Sequence, residues 1–440
     1  MKKLISVLSV LVLLCSVNIA VAKSFNPSAY RAQMIPQFVK YAKIDSMSED
    51  NDAQWMTPGQ EEMARVLYED IKIFGFPTHF SADKYIYVNI PSNLKDHKAP
   101  VLGISAHYDT TPDINGRNIQ PQVIKKYDGQ PIVLKNNHII DVESNPYLKN
   151  MIGKTIVTSD GTTNLGADDK AGVVIVYTLL KTLAENPTIQ HGPIDIVITP
   201  NEDIGRSAER LELQYYHPDY AFDFDAGVDG EVIVENFTAE KILVTVYGVP
   251  GHQSYAASNG YRNALAPASY ITNQFALREN LPNYSSGDKG YIEPHHPIYN
   301  AKNNSVTTDY RVRYFDRAEG EKWHQRLATA VLEAQLRYDV AVDYKIILQY
   351  DNVANGVKTD AKDLTERVFQ ASKVTPNFKK ERAGTTSAMI MAKHGFGGYT
   401  VFTGQNNPHS FTEWLSEEDM YNAYVVALNL VRHVAQMEKK

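Results

Sequence analysis

The chain has 440 residues, a net charge of −7 and one cysteine. Its acids and bases are interspersed, with no basic stripe of the kind that binds nucleic acid, and a lone cysteine supports neither an internal disulfide framework nor a thiolate metal site. A chain this long has room for two or more domains and for a core that needs no staples.

Residues 1–22 read as a cleavable export signal. Lys2 and Lys3 precede an uncharged apolar run that ends in Ala20-Val21-Ala22, a small-x-small pattern. The run approaches the length of a membrane anchor, but its positive start and small-residue end favour cleavage. Lipidation at Cys15 is disfavoured by the large Leu14 before it. The expectation is an exported protein, periplasmic or secreted, free of the membrane once the signal is removed. It would then have no cysteine, and any metal would be held by His and carboxylates.

Further on, Met63, Val66, Leu67 and Ile71 recur at helical spacing between Pro58 and Phe74, with Thr57 placed to cap the helix. A strand-like YIYVNIP follows, then the short apolar runs VLGISA (101–106), PIDIVIT (193–199) and GGYTVFT (397–403), with helical segments between some of them. Apolar runs of this length alternating with helices predict an α/β fold, a mixed and mostly parallel sheet flanked by helices.

Residues 238–350 differ. KILVTVYG and DYRVRYF alternate like half-exposed antiparallel strands, and helical stretches over Asn263–Leu277 and Gly320–Tyr338 separate them. This predicts a smaller α+β lid unit inserted into the first. The catalytic unit is then split into 23–237 and 351–440.

Polar residues gather where the apolar runs end. SAHYDTTPD supplies His107 and Asp109, LGADDKAG supplies Asp168, TPNEDIG supplies Glu202 and Asp203, AGVDGEV supplies Asp229, and NNPHSFTE supplies His409. Each alone has an ordinary explanation in helix capping, a turn or a surface histidine. Together they match the needs of a two-metal hydrolytic site, namely nitrogen and oxygen ligands, a bridging carboxylate and an acid that binds no metal. On this reading His107 and Asp229 hold one ion and Asp203 and His409 the other. Asp168 spans both, Glu202 is the general base, and Asp109 orients His107.

These motifs, with YFDR, VDGEVIVENF and the long segment 113–160 between His107 and Asp168, resemble the peptidase T branch of the dizinc exopeptidases, the tripeptide aminopeptidases related to glutamate carboxypeptidase and aminoacylase. The resemblance covers nearly all of the chain after residue 22. It implies two zinc ions per chain, the same ligands and base, and a cis bond between Asp168 and Asp169. Asp225, four residues before Asp229, competes for its role, and the Val-Asp-Gly match favours Asp229. The resemblance also makes His252 in GVPGHQS a lid histidine that reaches the oxyanion within its own subunit or across a homodimer. Arg313 and Arg382 become substrate-contacting arginines. Two departures stand out: Asp203 replaces the branch's usual Glu, and Thr385-Thr386-Ser387 replaces Thr-Asp-Gly.

The expected function is removal of the N-terminal residue from short peptides, tripeptides foremost. The rivals are a dipeptidase, a carboxypeptidase or an acylamino-acid hydrolase on the same scaffold, and a peptide-binding protein without catalysis, for which a free base such as Glu202 has no use.

Overall fold

The computed structural model describes residues 25–50 and 54–439. The leader-like segment 1–22 lies outside them. Helix α1 (Arg31–Ala42) is followed by α2 (Pro58–Lys72), which starts where the sequence predicts. Thr57 Oγ1 accepts from the Gln60 N–H at 3.3 Å and Pro58 takes the first helical position, where its missing N–H is harmless. Met63, Ala64, Leu67 and Ile71 form the buried stripe.

The main sheet begins with β1 (Thr78–Phe80), β2 (Ile86–Ile90) and β3 (Leu102–His107). After the insertion 113–160 the chain forms α3 (Ala167–Glu185), β4 (Ile194–Thr199), β5 (Tyr220–Ala226) and β6 (Glu231–Asn236). It then leaves for a second sheet made of β7 (Thr238–Tyr247), β8 (Tyr291–Asn300), β9 (Ser305–Tyr314) and β10 (Ala341–Tyr350), with helices α4 (Leu265–Phe275) and α5 (Arg317–Tyr338) between strands. On its return it adds α6 (Ala361–Ser372), β11 (Asn377–Glu381), α7 (Thr386–His394), β12 (Gly398–Phe402) and α8 (Glu417–Val434).

The main sheet has eight strands in the order β1-β2-β4-β3-β5-β12-β6-β11. Its centre is parallel, since β4, β3, β5 and β12 run together, and β1, β2 and β6 supply the antiparallel pairs. Every residue of β3 is buried, as expected of a strand covered on both faces. Helix α3 is apolar on nearly all sides because it packs between the sheet and helices α1 and α8. Gly172 permits this approach, for a Cβ there would stand 2.1 Å from the Phe224 carbonyl oxygen of β5.

The second sheet is antiparallel, in the order β8-β9-β7-β10, with its own apolar core against α4 and α5. The two chain crossings that join it to the main body lie side by side. Buried Asp351 accepts from Thr238 Oγ1 at 2.8 Å and from Arg317 at 2.7 Å, and Asn236 Nδ2 donates to the Asp351 carbonyl at 3.0 Å. Polar pairing of this kind keeps a buried crossing free of unsatisfied groups.

Candidate active site

The carboxyl ends of β3, β4 and β5 and the loop after β12 open on one side of the sheet, where open α/β folds hold their ligands. β3 delivers His107, the turn after β4 delivers Glu202 and Asp203, and β5 delivers Asp225. The loop after β12 brings His409, and Asp168 comes from the start of α3. These side chains converge. His107 Nε2 lies 3.0 Å from Asp168 Oδ1 and 3.7 Å from both Glu202 Oε2 and Asp225 Oδ1. His409 Nε2 lies 2.7 Å from Asp203 Oδ1 and 3.5 Å from Asp168 Oδ2. Asp168 thus faces both histidines. Its bond to Asp169 is cis.

Asp109 is fully buried and fastens two parts of the site. Its carboxylate accepts the backbone N–H of Glu202 at 2.9 Å and of Asp203 at 3.2 Å, and it stands 3.3 Å from His107 Nδ1. It therefore anchors the acidic turn and stands beside the histidine ring. Asn201 opens that turn in the left-handed region, at φ 58°, and its Nδ2 donates to the Trp55 carbonyl at 2.6 Å. Asn tolerates this conformation better than most residues.

Four carboxylates packed together perturb one another. Burial first, and then the negative charges around it, pushes Glu202 well above the ordinary carboxylate range. Burial and the charge of Asp168 raise Asp203 to about 6. Burial pushes Asp168 up as well, but hydrogen bonds from His107 and His409 outweigh it and hold Asp168 well below its usual value. Burial would lower His409, yet its bonds to Asp168 and Asp203 carry it up to about 12.

The donor set fits divalent cations. His107, Asp168, Asp203, Asp225 and His409 offer only nitrogen and oxygen atoms, and among the described residues no Lys or Arg pairs with these carboxylates. Asp203 Oδ2 is buried without any hydrogen-bond partner. Such an excess of buried negative charge needs compensation. Asp109 and Asp169 are close by, but their oxygens are already committed. Asp109 serves the turn, and Asp169 accepts from the His107 N–H at 3.1 Å and the Gly172 N–H at 3.0 Å.

Not every expected residue joins the cluster. Asp229 is turned away. Its side chain accepts from Asn422 at 3.3 Å and its N–H donates to Asp419 at 3.4 Å, so it stands among residues of α8. Asp225 occupies the place expected of Asp229 because β5 still runs as a strand through Ala226, so the last acid on the strand reaches the site and the later one lies in the turn beyond. His252 is exposed in the second sheet's loop, its ring tilted against Tyr255 with centroids 5.0 Å apart, and does not line the cleft. Arg382 is tied to a lid loop, donating to the Gly287 carbonyl at 2.7 Å and Ser285 Oγ at 2.8 Å, with its guanidinium over Phe237. Arg313 does line the cleft.

Two contributors were not foreseen. Glu413 is buried, and its carboxylate accepts three backbone N–H groups from the loop before α3: Leu165 at 2.6 Å, Gly166 at 2.8 Å and Asp168 at 3.0 Å. Asp223, two residues before Asp225, accepts from Ser105 Oγ at 2.6 Å and from the Ser387 N–H at 3.2 Å. The unusual Thr385-Thr386-Ser387 thereby forms the start of α7, with Thr385 as its cap.

The comparisons with known proteins agree with this geometry. Residues 166–433 match the profile of peptidase family M20/M25/M40. The chain is 31% identical over 407 residues to peptidase T of Halothermothrix orenii, covering 91% of this chain and 98% of the relative. It is 32% identical over 416 residues to peptidase T of Listeria monocytogenes, covering 93% and 100%. In fold it resembles the aminopeptidase PepT of Bacillus cereus, with a TM-score of 0.69 at 18% identity over 92% of this chain and 99% of the other. A dinuclear metal-binding peptidase of the M20 family from Bacillus subtilis is also similar, with a TM-score of 0.64 at 12% identity over 93% and 99%.

One expectation is overturned. The chain matches peptidases T along almost the whole of their length, and the assignment to export and a periplasmic or secreted location does not stand beside that match. Among the described residues no helix is long and apolar enough to cross a membrane. By its family profile and its relatives, the chain belongs to peptidase family M20/M25/M40 and is a metal-dependent peptidase.

Proposed function

We propose that this protein removes the N-terminal residue from short peptides, tripeptides foremost, with two zinc ions per chain. His107 and Asp225 serve one ion and Asp203 and His409 the other, with Asp168 between them. Residues 23–237 and 351–440 form the catalytic body, and 238–350 form its lid. The observation that carries this reading is the convergence of four carboxylates and two imidazoles at the strand ends, with one acid, Glu202, outside the described groups of His and carboxylates that lie close enough together to hold an ion.

Zinc, when bound, polarises the scissile carbonyl and makes water a nucleophile at neutral pH. The chain's own residues do the rest. Glu202 is buried and 3.7 Å from His107 Nε2. It takes a proton from the attacking water and returns it to the leaving amine. Asp109 keeps His107 and the Glu202–Asp203 turn in register, so that base and ligands move as one unit.

The match to peptidases T along almost their whole length is the support for attack at the first residue. The test is a comparison of kcat/KM on a free tripeptide and its Nα-acetylated form, with the products identified. The free peptide is expected to lose its first residue, and acetylation to nearly eliminate cleavage. Equal rates on both would overturn the aminopeptidase reading in favour of an acylase or carboxypeptidase.

A further inference from the structure

None of the six side chains that converge at the strand ends lies in the insertion 113–160, yet the insertion carries the hairpin that delivers His409. A small four-stranded sheet runs in the order Gln405–Asn406, Trp414–Ser416, Ile156–Thr158 and Gln122–Ile124. Two of these strands come from the segment after β12 and two from the insertion. Trp414, Leu415 and Ser416 pair with Thr158, Val157 and Ile156, and Gln405 and Asn406 fold back on Leu415 and Trp414. His409 lies at the tip of that hairpin. Trp414 also enters the insertion's own apolar core, beside Tyr127, Ile140, Leu148 and Met151.

The tip needs support from outside. Asn407 and His409 are both left-handed, at φ 52° and 56°, where residues other than glycine are uncommon. The His409 side chain is 36% exposed against 1% for His107, so the burial that immobilises one ring is largely missing for the other. Three side chains of the insertion meet the tip. Asn145 Oδ1 accepts from Asn407 Nδ2 and, at 3.4 Å, from Trp414 Nε1. His138 stacks on Phe411 with ring centroids 4.9 Å apart. Asp113 Oδ2 accepts from His409 Nδ1 at 3.3 Å, and the Asp113 N–H is itself held by Thr111 Oγ1 at 3.1 Å. The other ring nitrogen of His409, Nε2, faces Asp203 at 2.7 Å and Asp168 at 3.5 Å. A ligand histidine that offers one nitrogen to an ion commonly donates from the other to a carboxylate, which fixes its tautomer and ring plane. Asp113 stands where that carboxylate belongs.

We propose that Asp113 is a positioning residue for His409 and that, through it, the insertion 113–160 sets how tightly the ion served by Asp203 and His409 is held. The proposal rests on the two-ion reading given above. It gives the insertion a task in the site although it supplies no ligand. Asp113 lies six residues after His107 in the chain, so it also links the strand that carries one histidine to the ring of the other.

The test is competition for zinc between a chromogenic chelator and the full chain, in wild type, Asp113→Ala, Asp113→Asn and Asp50→Asn. Asp113→Ala is expected to weaken retention of one of the two ions by about tenfold, the lower end of the usual effect of losing such a carboxylate because this contact is partly exposed. Asp113→Asn, whose amide oxygen still accepts from Nδ1 without the charge, is expected to give a smaller loss. Asp50 lines the same cleft and, among the described residues, makes no hydrogen bond or ion pair with His409. Asp50→Asn therefore removes a nearby charge alone and is expected to stay within about twofold of wild type, as surface substitutions usually do. The melting temperature of the metal-free protein is expected to be unchanged in Asp113→Ala, since an exposed contact adds little to stability. A loss of zinc no larger in Asp113→Ala than in Asp50→Asn, or one that comes only with a lower metal-free melting temperature, overturns the proposal. If wild type takes up a single ion per chain, the two-ion reading fails instead, and the retention of that ion in Asp113→Ala against Asp50→Asn decides the role of Asp113. Uptake of no ion defeats both.

Discussion

Glu413 and Asp168 are 245 residues apart in the chain, yet the backbone N–H of Asp168 donates to Glu413 Oε1 at 3.0 Å. The other oxygen of Glu413 accepts from Leu165 and Gly166, and Glu413 itself sits four residues after His409. One buried acid thus ties the loop that carries His409 to the loop that carries Asp168. An amide in its place would turn a donor toward at least one of the three N–H groups. Glu413→Gln is expected to destabilise the protein by about 2 kcal/mol, the usual loss when a buried donor is left unmet, and to weaken zinc retention against a chelator. Glu413→Asp, which keeps the charge, should recover part of the retention. Full zinc retention in Glu413→Gln would show that the two loops hold their places without it.

Asp225 and Asp229 offer a direct contrast. Asp225→Asn removes a charge that stands 3.7 Å from His107 and is expected to lower zinc content below two per chain and kcat/KM by at least about a hundredfold, in the range typical of lost site groups. Among the described residues Asp229 is hydrogen-bonded to Asn422 and Asp419, and Asp229→Asn should leave both quantities within about a factor of two, as substitutions remote from a site usually do. Metal analysis and steady-state kinetics on the two variants decide between them, and the reverse pattern would return the ligand role to Asp229.

That contrast also shows how far the sequence could be read. The alternation of apolar runs and helices predicts the mostly parallel sheet, and the positions of His107, Asp168, Glu202, Asp203 and His409 at run ends place them together because strand ends open on one side of such a sheet. Asp225 and Asp229 are separated only by where β5 stops, and Ala226-Gly227-Val228 contains no sharp signal for that end. Asp223 and Asp225 share a strand face by period two, and both are engaged. Glu413 is a different case. Its partners are backbone groups of a loop more than two hundred residues earlier, and nothing in its own neighbourhood announces them. His252 and Arg382 were placed by motif likeness alone. Their surroundings, the tilted ring of Tyr255 and the loop at Ser285–Lys289, are set by local packing that a motif does not encode.

The lid carries a titratable contact of its own. His324 Nε2 of α5 lies 2.6 Å from Glu240 Oε2 of β7, and Glu240 is buried and also accepts from Tyr314 at 2.9 Å. The hydrogen bond to Glu240 raises the His324 pKa above its usual value, against an opposing effect of burial. A histidine with a raised folded-state pKa binds its proton more tightly when folded. Its stabilising contribution is therefore complete below the unfolded value of about 6.5 and is lost as pH rises through the folded one. The melting-temperature gap between wild type and His324→Gln, which keeps a neutral donor, should be larger at about pH 5.5 than at about pH 9.5. A gap independent of pH would show that the contact contributes only as a neutral hydrogen bond.

The final expectation separates the two neighbouring acids of the turn after β4. Asp203 is bonded to His409 at 2.7 Å and keeps its other oxygen buried and unpaired, which is the posture of a ligand. Glu202 stands 3.7 Å from His107 Nε2, as Asp225 does, but it belongs to none of the described groups of His and carboxylates close enough together to hold an ion, and its backbone N–H is held by Asp109. Glu202→Gln preserves shape and removes the basic oxygen. It should reduce kcat by roughly 10²–10⁴-fold, the usual share of a general base, with zinc content still near two per chain and little change in peptide affinity. Asp203→Asn should do the opposite in part, lowering zinc occupancy before any effect on the protein's fold. Zinc analysis of the purified variants together with single-turnover kinetics on a free tripeptide reads both effects. Loss of an ion from Glu202→Gln would make Glu202 a ligand, and the base would then have to be sought elsewhere in the cleft.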